Sequence, residues 1–518
     1  MNNLPYEIHD LIIQFVDRRL RLPWQHSAPP PALPAIAAVS RNFQRAVERL
    51  TFRNLKVSTA PSDLDDFRRA LTPQRQHNLR RLIVSPRVDY ASLRAIPGTG
   101  QRRRFATAKE RRAINETTTA QLREFFNILA TWPSSEPSLT LVFASSLGDP
   151  YIKYFRFSLL DVSSDLTDFP PLPMVKRLHV VSTSCHLHPH LAVALTAKMP
   201  NVSHVEWHFL TRQRDADWGL YHYVSRLWRD GLVQSIESIT LPSSVESFRF
   251  EMSVPGVDRF QILPKFIGST SSPGPVSYAL RKLTKDCTEI VIEGPIHPSL
   301  FDPLAVPSTS SHEATVTWEK VTQLAVCARR DGGANGGWLF KLDPEDAVAL
   351  ESPPEHLDLD HLPPGYGTTE SELDEAEKYY DDHLYAMTPF VREWKYKDIW
   401  DLRMEVDDGP MNTLLAAFAR GCRNMPALRT AAFETELYSP GSWWFQVTCF
   451  AAGEATPWGW DAEFADGDCS TWRVFFHVYD WRPAEETLEA FRRIGREHDG
   501  RDTVVCFLPL GEFHSMIV

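Results

Sequence analysis

The stretch that decides the fold is Met199-Pro200-Asn201-Val202-Ser203-His204-Val205-Glu206-Trp207. A helical pattern ends at Met199, proline makes a turn, and apolar residues then follow at positions i, i+3 and i+5 of a short strand. Proline cannot continue a helix and biases the residue before it away from helical geometry, so helix, turn and strand is the natural order. The stretch Met425-Pro426-Ala427-Leu428 repeats this junction. The chain is therefore predicted to repeat one helix and strand unit.

The same i, i+3, i+5 spacing predicts eight strands. They are centred on Phe52, Leu55, Val57; Leu79, Leu82, Val84; Val175, Leu178, Val180; Val202, Val205, Trp207; Ile236, Ile239, Leu241; Cys287, Ile290, Ile292; Val321, Leu324, Val326; and Leu428, Ala431, Phe433. This spacing is typical of the strand of a leucine-rich repeat. The predicted class is α/β, with an irregular leucine-rich-repeat-like solenoid. An ordinary α/β domain with parallel strands is the alternative, because it has the same alternation of helix and strand.

After Glu436 the sequence becomes aromatic. Strands are predicted at Trp443–Phe450, Trp472–Asp480 and Thr503–Leu508, with a helix at Ala484–His498. Stacked repeats leave an apolar end that must be covered, so this segment is predicted to be a C-terminal aromatic α+β cap. Its tryptophans are expected in the core of the strands, with stacking on a ligand as the alternative.

Length and charge limit the possible functions. At 518 residues the chain is too long for one hydrophobic core, and several domains or a repeat array are expected. The net charge is −11, but Asp343–Asp382 holds 14 acidic residues and one lysine, which leaves the remainder near +2. A near-neutral body argues against nucleic-acid binding, which needs a basic surface. The acidic segment has too little apolar surface to fold and is predicted to be a disordered insertion.

Cysteine usage and hydropathy predict where the protein works. The seven cysteines are an odd number, widely spaced and without a C-x-x-C pair, which suits a reducing compartment. No apolar stretch approaches the length of a membrane helix, so no membrane association is expected. The predicted localisation is intracellular, cytoplasmic or nuclear. The basic cluster from Arg102 to Arg112 is expected to be a solvated loop, with a phosphate or import-receptor site as the alternative.

The N-terminus predicts a pair of helices. Pro5 suits the first turn of a helix, and apolar residues then recur with helical spacing from Ile8 to Val16. A second helix is predicted at Ala35–Arg49, with Val39 and Phe43 on one side. Such a pair is too small to be stable alone, so it must rest on the repeats or on a partner. A helical pair that only covers the end of the repeats remains the alternative to a binding module.

This segment resembles the F-box, a helical module that binds the Skp adaptor of SCF-type cullin-RING ubiquitin ligases. The resemblance rests on LPYEI (Leu4–Ile8), DLIIQFV (Asp10–Val16), AVSRNF (Ala38–Phe43) and LTFRNL (Leu50–Leu55). It implies adaptor contacts through Leu4, Pro5, Ile8, Leu11, Ile12, Val39 and Phe43. With the repeats and the Trp481-Arg482-Pro483 and Phe491–Glu497 segments, the chain is similar to a large group of filamentous-fungal F-box proteins.

The resemblance implies a substrate-recognition subunit whose partners are the Skp adaptor, the cullin and a protein substrate. The predicted division is 1–57 F-box-like module, 58–342 repeat array, 343–382 acidic insertion, 383–436 last repeat region and 437–518 cap. Substrate contacts are predicted at Arg80, Arg81, Lys176, Arg177 and Arg429, which favour an acidic or phosphorylated segment. An interaction scaffold outside a ligase, or a hydrolase in the C-terminal segment, are the alternatives.

No catalytic residue, cofactor or metal is expected. Cys185, His186, His188 and His190 are metal-ligand types, but the chain has no distant cysteine pair to complete a zinc site. A loop is the preferred interpretation and a metal site the alternative. Asp461, Asp466 and Asp468 do not follow the order of a calcium loop, and the glycine-rich stretch from Gly332 to Gly337 lacks the lysine of a phosphate-binding loop.

Overall fold

The computed structural model describes residues 8, 11–12, 33–87, 107–133, 138–144, 159–160, 166, 168–182, 186–210, 230–253, 275–302, 317–328, 339–341, 405–437, 443–456, 470–478 and 480–508. The predicted acidic insertion at 343–382 lies outside these residues, as do Leu4, Pro5 and Cys185.

Helices and strands alternate along the described chain. Helices cover Leu33–Ala37, Arg41–Thr51, Pro61–Ala70, Pro73–Asn78, Ala108–Ala130, Pro189–Ala197, Pro275–Leu283, Asp408–Arg423 and Glu485–His498, with a 3-10 turn at Pro298–Leu300. Residues 230–238 are also helical. The strands are β1 (Asn54–Ser58), β2 (Arg81–Ser85), β3 (Leu139–Ala144), β4 (Leu159–Leu160), β5 (Val175–Ser182), β6 (His186–Leu187), β7 (His204–Leu210), β8 (Ser247–Ser253), β9 (Glu289–Gly294), β10 (Gln323–Ala328), β11 (Phe340–Lys341), β12 (Glu405–Val406), β13 (Thr430–Leu437), β14 (Trp443–Phe450), β15 (Arg473–His477) and β16 (Val504–Phe507).

Twelve strands form one sheet, and their order in the sheet follows their order in the chain: β1-β2-β3-β5-β7-β8-β9-β10-β13-β14-β15-β16. Neighbours from β1 to β13 are parallel, β14 is antiparallel to both β13 and β15, and β16 is parallel to β15. Parallel neighbours need crossover connections, which the helices supply. The predicted α/β class, with repeated parallel strands, is confirmed.

The predicted apolar positions form two continuous rows across the parallel strands. One row runs through Leu55, Leu82, Leu141, Leu178, Val205, Phe248, Ile290, Leu324 and Ala431, and the next through Val57, Val84, Phe143, Val180, Trp207, Phe250, Ile292, Val326 and Phe433. Seven of the eight predicted sets contribute their second and third residues to these rows. The repeated phase seen in the sequence is therefore a register shared by neighbouring strands.

The eighth predicted strand, centred on Ile236, Ile239 and Leu241, is wrong. Ile236 lies in the helical residues 230–238, where it is buried, and the strand is β8 instead. Val245, Phe248 and Phe250 have the same i, i+3, i+5 spacing as the rejected set. Two adjacent segments thus fit the pattern. The first, at Ile236, forms part of a helix that packs on the sheet, and the second, at Val245, leads into β8.

Strand β3 was not predicted, because its buried residues are more closely spaced in the sequence than the i, i+3, i+5 pattern requires. Leu139, Leu141 and Phe143 pair with Val175, Leu178 and Val180 of β5, and the register shifts between Leu139 and Thr140. The equivalent positions in β3 are therefore i, i+2 and i+4. One residue fewer at the start of the strand removes the signal, although the same side chains are buried.

The helices lie on one face of the sheet. Apolar residues of the helices, such as Phe125, Leu195 and Leu414, share one continuous core with the two strand rows. Strand residues alternate in direction, so the residues between the rows point to the opposite face. Val142 and Ala432, which belong to that opposite face, are buried but are not part of this core. We call the side away from the helices the polar face.

A tryptophan indole and a threonine hydroxyl form the same pair of hydrogen bonds in two places. Trp207 of β7 donates from Nε1 to Thr196 Oγ1 at 3.3 Å, and Thr196 Oγ1 donates to the carbonyl of Ala192. Trp318 donates from Nε1 to Thr284 Oγ1 at 3.1 Å, and that hydroxyl donates to the carbonyl of Leu280. Both threonines are fully buried, so each hydroxyl satisfies an indole N–H that would otherwise have no partner.

Replacing Thr284 by valine keeps the shape of the side chain but removes the acceptor for Trp318 Nε1. Because a buried donor without a partner costs about 1–3 kcal/mol, we expect the free energy of unfolding to fall by that amount. Urea denaturation followed by circular dichroism measures the change. Thr284→Ser, which keeps the hydroxyl, should recover most of the loss. Equal stability of wild type and Thr284→Val would contradict the role of the hydroxyl.

The aromatic C-terminal strands continue the sheet instead of forming a separate layer. Phe433 of β13 packs against Phe445 of β14 with ring centroids 6.5 Å apart, and the Glu485–His498 helix packs against the Asp408–Arg423 helix. Trp472 is buried and stacks on His498, and Trp481 packs against Phe445. The predicted core position is confirmed for Trp472, whereas Trp481 is half-buried at the margin of the core. Among the described helices, none is long and apolar enough to span a membrane.

Candidate functional site

The helices at the N-terminus present apolar side chains to solvent. In the described part of the chain, the large hydrophobic residues that are exposed are Ile8, Leu11, Ile12, Val39 and Val504. Leu11 and Val39 are 59% and 63% exposed. Four of the five are residues that the F-box resemblance implies as adaptor contacts. Exposed apolar side chains that are concentrated in one segment of a chain are typical of a protein-binding segment.

Phe43, also predicted to contact the adaptor, is buried instead. It packs with Leu33, Ala46 and Val47 in a small cluster separate from the main core. The predicted helix Ala35–Arg49 is broken before Arg41, because Ser40 acts as the N-cap and accepts a hydrogen bond from the backbone N–H of Phe43. The break leaves Val39 on the surface while Phe43 turns inward. The prediction for Phe43 is therefore corrected from a contact residue to a core residue of the helix pair.

Arg75 joins this helix pair to the first units of the sheet. Its guanidinium lies 2.7 Å from Glu48 Oε1, donates to the carbonyl of Ala70 at 2.8 Å, and sits 4.5 Å from the ring centroid of Phe52. The hydrogen bond from Arg75 holds the pKa of the Glu48 carboxyl below its ordinary value. The boundary predicted at residue 57 falls inside β1, so the module continues directly into the sheet.

A repeated hydrogen-bond pattern fixes the residues at the start of the parallel strands. In β2 the backbone N–H groups of Arg80 and Arg81 both donate to the carbonyl of Arg53, at 2.9 and 3.0 Å. The same pattern joins Glu246 and Ser247 to Ser203, Thr288 and Glu289 to Glu246, Thr322 and Gln323 to Thr288, and Arg429 and Thr430 to Thr322. These residues lie where the parallel strands begin, along one side of the sheet. We call this row of strand starts the strand-start edge.

The predicted substrate contacts all lie on this edge, but they do not form one group. Arg80 directly precedes β2 and Arg81 begins it, while Lys176 and Arg177 belong to β5, two strands away, and all four are exposed. Because neighbouring strands are about 4.8 Å apart, the two pairs are separated by roughly 10 Å. Arg429 precedes β13, five strands beyond β5, and its Nε lies 3.4 Å from Glu454 Oε1. Arg429 is therefore remote from the other four.

Sequence reasoning missed three charged residues of the edge. Arg53 and Glu289 occupy the same positions in their units as Arg80 and Arg177, so the phase of the repeats was sufficient to find them. Glu246 precedes β8, which the pattern had placed elsewhere. Glu237 and Ser238, which follow Ile236 in the wrongly predicted strand, lie in helical residues 230–238 and not on the edge.

A chain of histidines and carboxylates crosses the polar face in the middle of the sheet. Glu206 Oε2 lies 3.0 Å from His179 Nδ1 and 3.3 Å from His208 Nε2, and His208 Nδ1 lies 2.6 Å from Glu251 Oε2. The four side chains come from β5, β7 and β8, and the register of the strands brings them side by side. Glu206 and His208 are two apart on one strand, so they share a face.

The hydrogen bonds among these four side chains determine the charge of His208. Burial alone would lower the pKa of His208, but the hydrogen bonds to Glu206 and Glu251 and their negative charges raise it to about 9. Hydrogen bonds from His179 and His208 hold the pKa of Glu206 well below its ordinary value. At neutral pH, His208 is therefore a cation held between two carboxylates. The arrangement ties three strands together and keeps the polar face ordered.

The folded protein should lose stability as the pH rises through about 9, because His208 has its raised pKa only in the folded state. Its contribution is fully present below about 6.5, the ordinary pKa, and declines above it. We expect the stability difference between wild type and His208→Gln to shrink by about 2 kcal/mol between pH 6 and pH 10. Urea titrations of both proteins across this range measure it. A difference that does not change with pH would contradict the charged state of His208.

The histidine-rich motif has structural roles where it is described. His188 is the N-cap of the Pro189–Ala197 helix, and its ring accepts from the backbone N–H of His190. His190 Nδ1 lies 3.0 Å from Ser235 Oγ. Among the described residues, no group of three histidine, cysteine or acidic side chains is placed to hold a metal ion. Asp461, Asp466, Asp468 and the stretch from Gly332 to Gly337 lie outside the described residues.

The fold and the two surfaces can be compared with known proteins. No protein-family model matches the chain, and no curated protein matches it in sequence. The assignment of function therefore rests on the residues and geometry described above.

Proposed function

We propose that this protein is a substrate-recognition subunit of an SCF-type cullin-RING ubiquitin ligase. Its F-box-like helical module binds the Skp adaptor, and its sheet, acting as an irregular leucine-rich-repeat-like solenoid, holds a protein substrate. Such a role needs no catalytic group in this chain, because holding two reactants together raises their effective concentration. The ligase's conjugating enzyme supplies the chemistry, and this chain supplies proximity.

The observation that carries the proposal is the position of the exposed apolar side chains. Ile8, Leu11, Ile12 and Val39 lie in the segment that resembles the F-box, and they are exposed although the protein has a large core in which to bury such residues. Full exposure of such a side chain is unfavourable by about 1.5–3 kcal/mol compared with full burial, and these four are between 37% and 63% exposed. A partner that covers them recovers this free energy, and an apolar groove of an adaptor has the matching chemistry.

The strand-start edge supports the second part of the proposal. Its exposed arginines and lysine favour an acidic or phosphorylated substrate segment, because arginine pairs with carboxylate and phosphate through two hydrogen bonds. The edge follows the helix pair along the chain through β1, so that the adaptor would bind the N-terminal helices and the substrate would bind the sheet.

Affinity purification of the full chain followed by mass spectrometry tests this function. We expect the Skp adaptor and the cullin to co-purify, together with substrate. Recovery of the adaptor without the cullin would favour an interaction scaffold outside a ligase. Purification of a folded chain that retains neither protein, and that does not bind purified adaptor, would exclude the ligase role.

A further inference from the structure

The charges of the strand-start edge change sign along the sheet. The units of β1, β2 and β5 place the cations Arg53, Arg80, Arg81, Lys176 and Arg177 at the edge. The units of β8 and β9 place Glu246 and Glu289 there. His204, at the start of β7, stands between the two groups. The edge is therefore basic at one end and acidic further along, whereas the substrate contacts predicted from the sequence are all basic.

These charges are available to a partner. Arg53, Arg81, Lys176, Arg177, Glu246 and Glu289 are all exposed, and none of them forms an ion pair with another described residue. Arg80 donates only to Ser138 Oγ, at 3.2 Å, within the described part of the chain. Exposed charges of one sign that are not neutralised by neighbours leave a local potential that attracts the opposite sign.

The basic and the acidic residues of the edge both act on the charge of His204. Burial, followed by the positive charge of Arg177, lowers the pKa of its imidazole, while Glu289 and Glu246 act in the opposite direction. The two sets of charges thus face the same region of the edge. Arg177 and Glu289 are separated by three strand spacings, or roughly 14 Å.

We infer that the strand-start edge binds an extended protein segment that carries an acidic or phosphorylated side chain and, about four residues away, a basic one. An extended chain advances about 3.3 Å per residue, so four residues span the distance between the basic and acidic parts. The anionic side chain pairs with Arg81, Lys176 and Arg177, and the basic one pairs with Glu246 and Glu289. A nucleic acid fits less well, because its uniform negative charge would meet both glutamates.

This inference rests on the proposed function, since it names the chemistry of the substrate segment. The full chain should be titrated with labelled peptides of equal length by fluorescence anisotropy. One peptide carries glutamates and then lysines four residues later, a second carries phosphoserines in place of those glutamates, a third carries glutamates at every charged position, and a fourth has no charge. The bipolar peptides should bind about fivefold more tightly than the all-acidic one at low salt, as expected for two exposed ion pairs.

Variants of the acidic half decide the result. In Glu246→Lys with Glu289→Lys, the all-acidic peptide should become the tightest ligand. Glu237→Lys is the matched control, because Glu237 is an exposed acid on helical residues 230–238, and it should leave the order of affinities unchanged. Comparison of glutamate with phosphoserine shows which anion the basic half prefers. Equal binding of all peptides, tighter binding of the all-acidic peptide to wild type, or an order unaltered in the double variant would overturn the inference.

Adaptor binding of the same preparations separates this inference from the proposed function. Both variants should bind the Skp adaptor as wild type does, because their substitutions lie on the sheet and not on the N-terminal helices. If the variants bind the adaptor but wild type lacks the expected peptide preference, only the bipolar site is contradicted. If the peptide preference is seen but the adaptor does not bind, only the ligase role is contradicted.

Discussion

Replacing Leu11 by aspartate should abolish co-purification of the Skp adaptor while leaving the fold intact. Leu11 is 59% exposed, so in the free chain the new carboxylate remains in water and adds little to the cost of folding. In the complex the same carboxylate would be buried without a partner in an apolar interface, at a cost of several kcal/mol. We therefore expect adaptor affinity to fall at least about 100-fold, or about 2.7 kcal/mol, as measured by calorimetric titration with purified adaptor.

Two further variants make this result specific. Val39→Asp places the same charge on the second helical segment and should weaken adaptor binding to a similar extent. Val504→Asp is the control, because Val504 is also an exposed apolar residue but lies on β16, the last strand of the sheet. It should bind adaptor as wild type does. If Leu11→Asp and Val39→Asp both retain wild-type affinity, the exposed apolar side chains serve another purpose.

The sequence pattern predicted most strands of the sheet, because it depends only on which side chains within one strand face the core. The i, i+3, i+5 spacing records which side chains of a strand point to the core, and residues such as Leu178 and Val180 satisfy it without reference to the rest of the chain. The pattern could not choose between Ile236 and Phe248, because both segments have the same spacing. The choice depends on which segment covers the sheet as a helix, and that is a tertiary contact.

The sequence did not predict the side-chain contacts of the polar face, because they join residues of different strands. Glu206 and His208 stand two residues apart, which the sequence shows, but Glu251 joins them only through the register of β8. The same missing strand hid Glu246 from the strand-start edge, and Glu289 was overlooked although its strand was predicted correctly. These two omissions changed the predicted chemistry of the partner, although the predicted fold class was unaffected.

The F-box-like segment shows the opposite case, in which the residues were identified but their exposure was not. Val39 and Phe43 are four residues apart and were both predicted as contacts of one helix face. Ser40 ends that helix early by capping the next one, so the two side chains separate and Phe43 enters the core. A serine at this position is a capping signal in the sequence, and it indicates a break that apolar periodicity alone does not reveal.

Replacing Trp207 by alanine should destabilise the centre of the sheet by about 3–5 kcal/mol, the range for removal of a large buried aromatic side chain. Trp207 is fully buried, packs edge-on against Phe248 with centroids 5.0 Å apart, and donates to Thr196 at 3.3 Å. The variant loses both the ring and the link between the Pro189–Ala197 helix and β7.

Because each unit contacts mainly its neighbours, amide hydrogen exchange in the Trp207→Ala variant should accelerate first in residues 189–210 and 247–253. Trp207→Phe, which keeps a ring but not the N–H, should lose less stability. Protection factors in these two segments that match wild type in the alanine variant would show that the sheet does not depend on this contact.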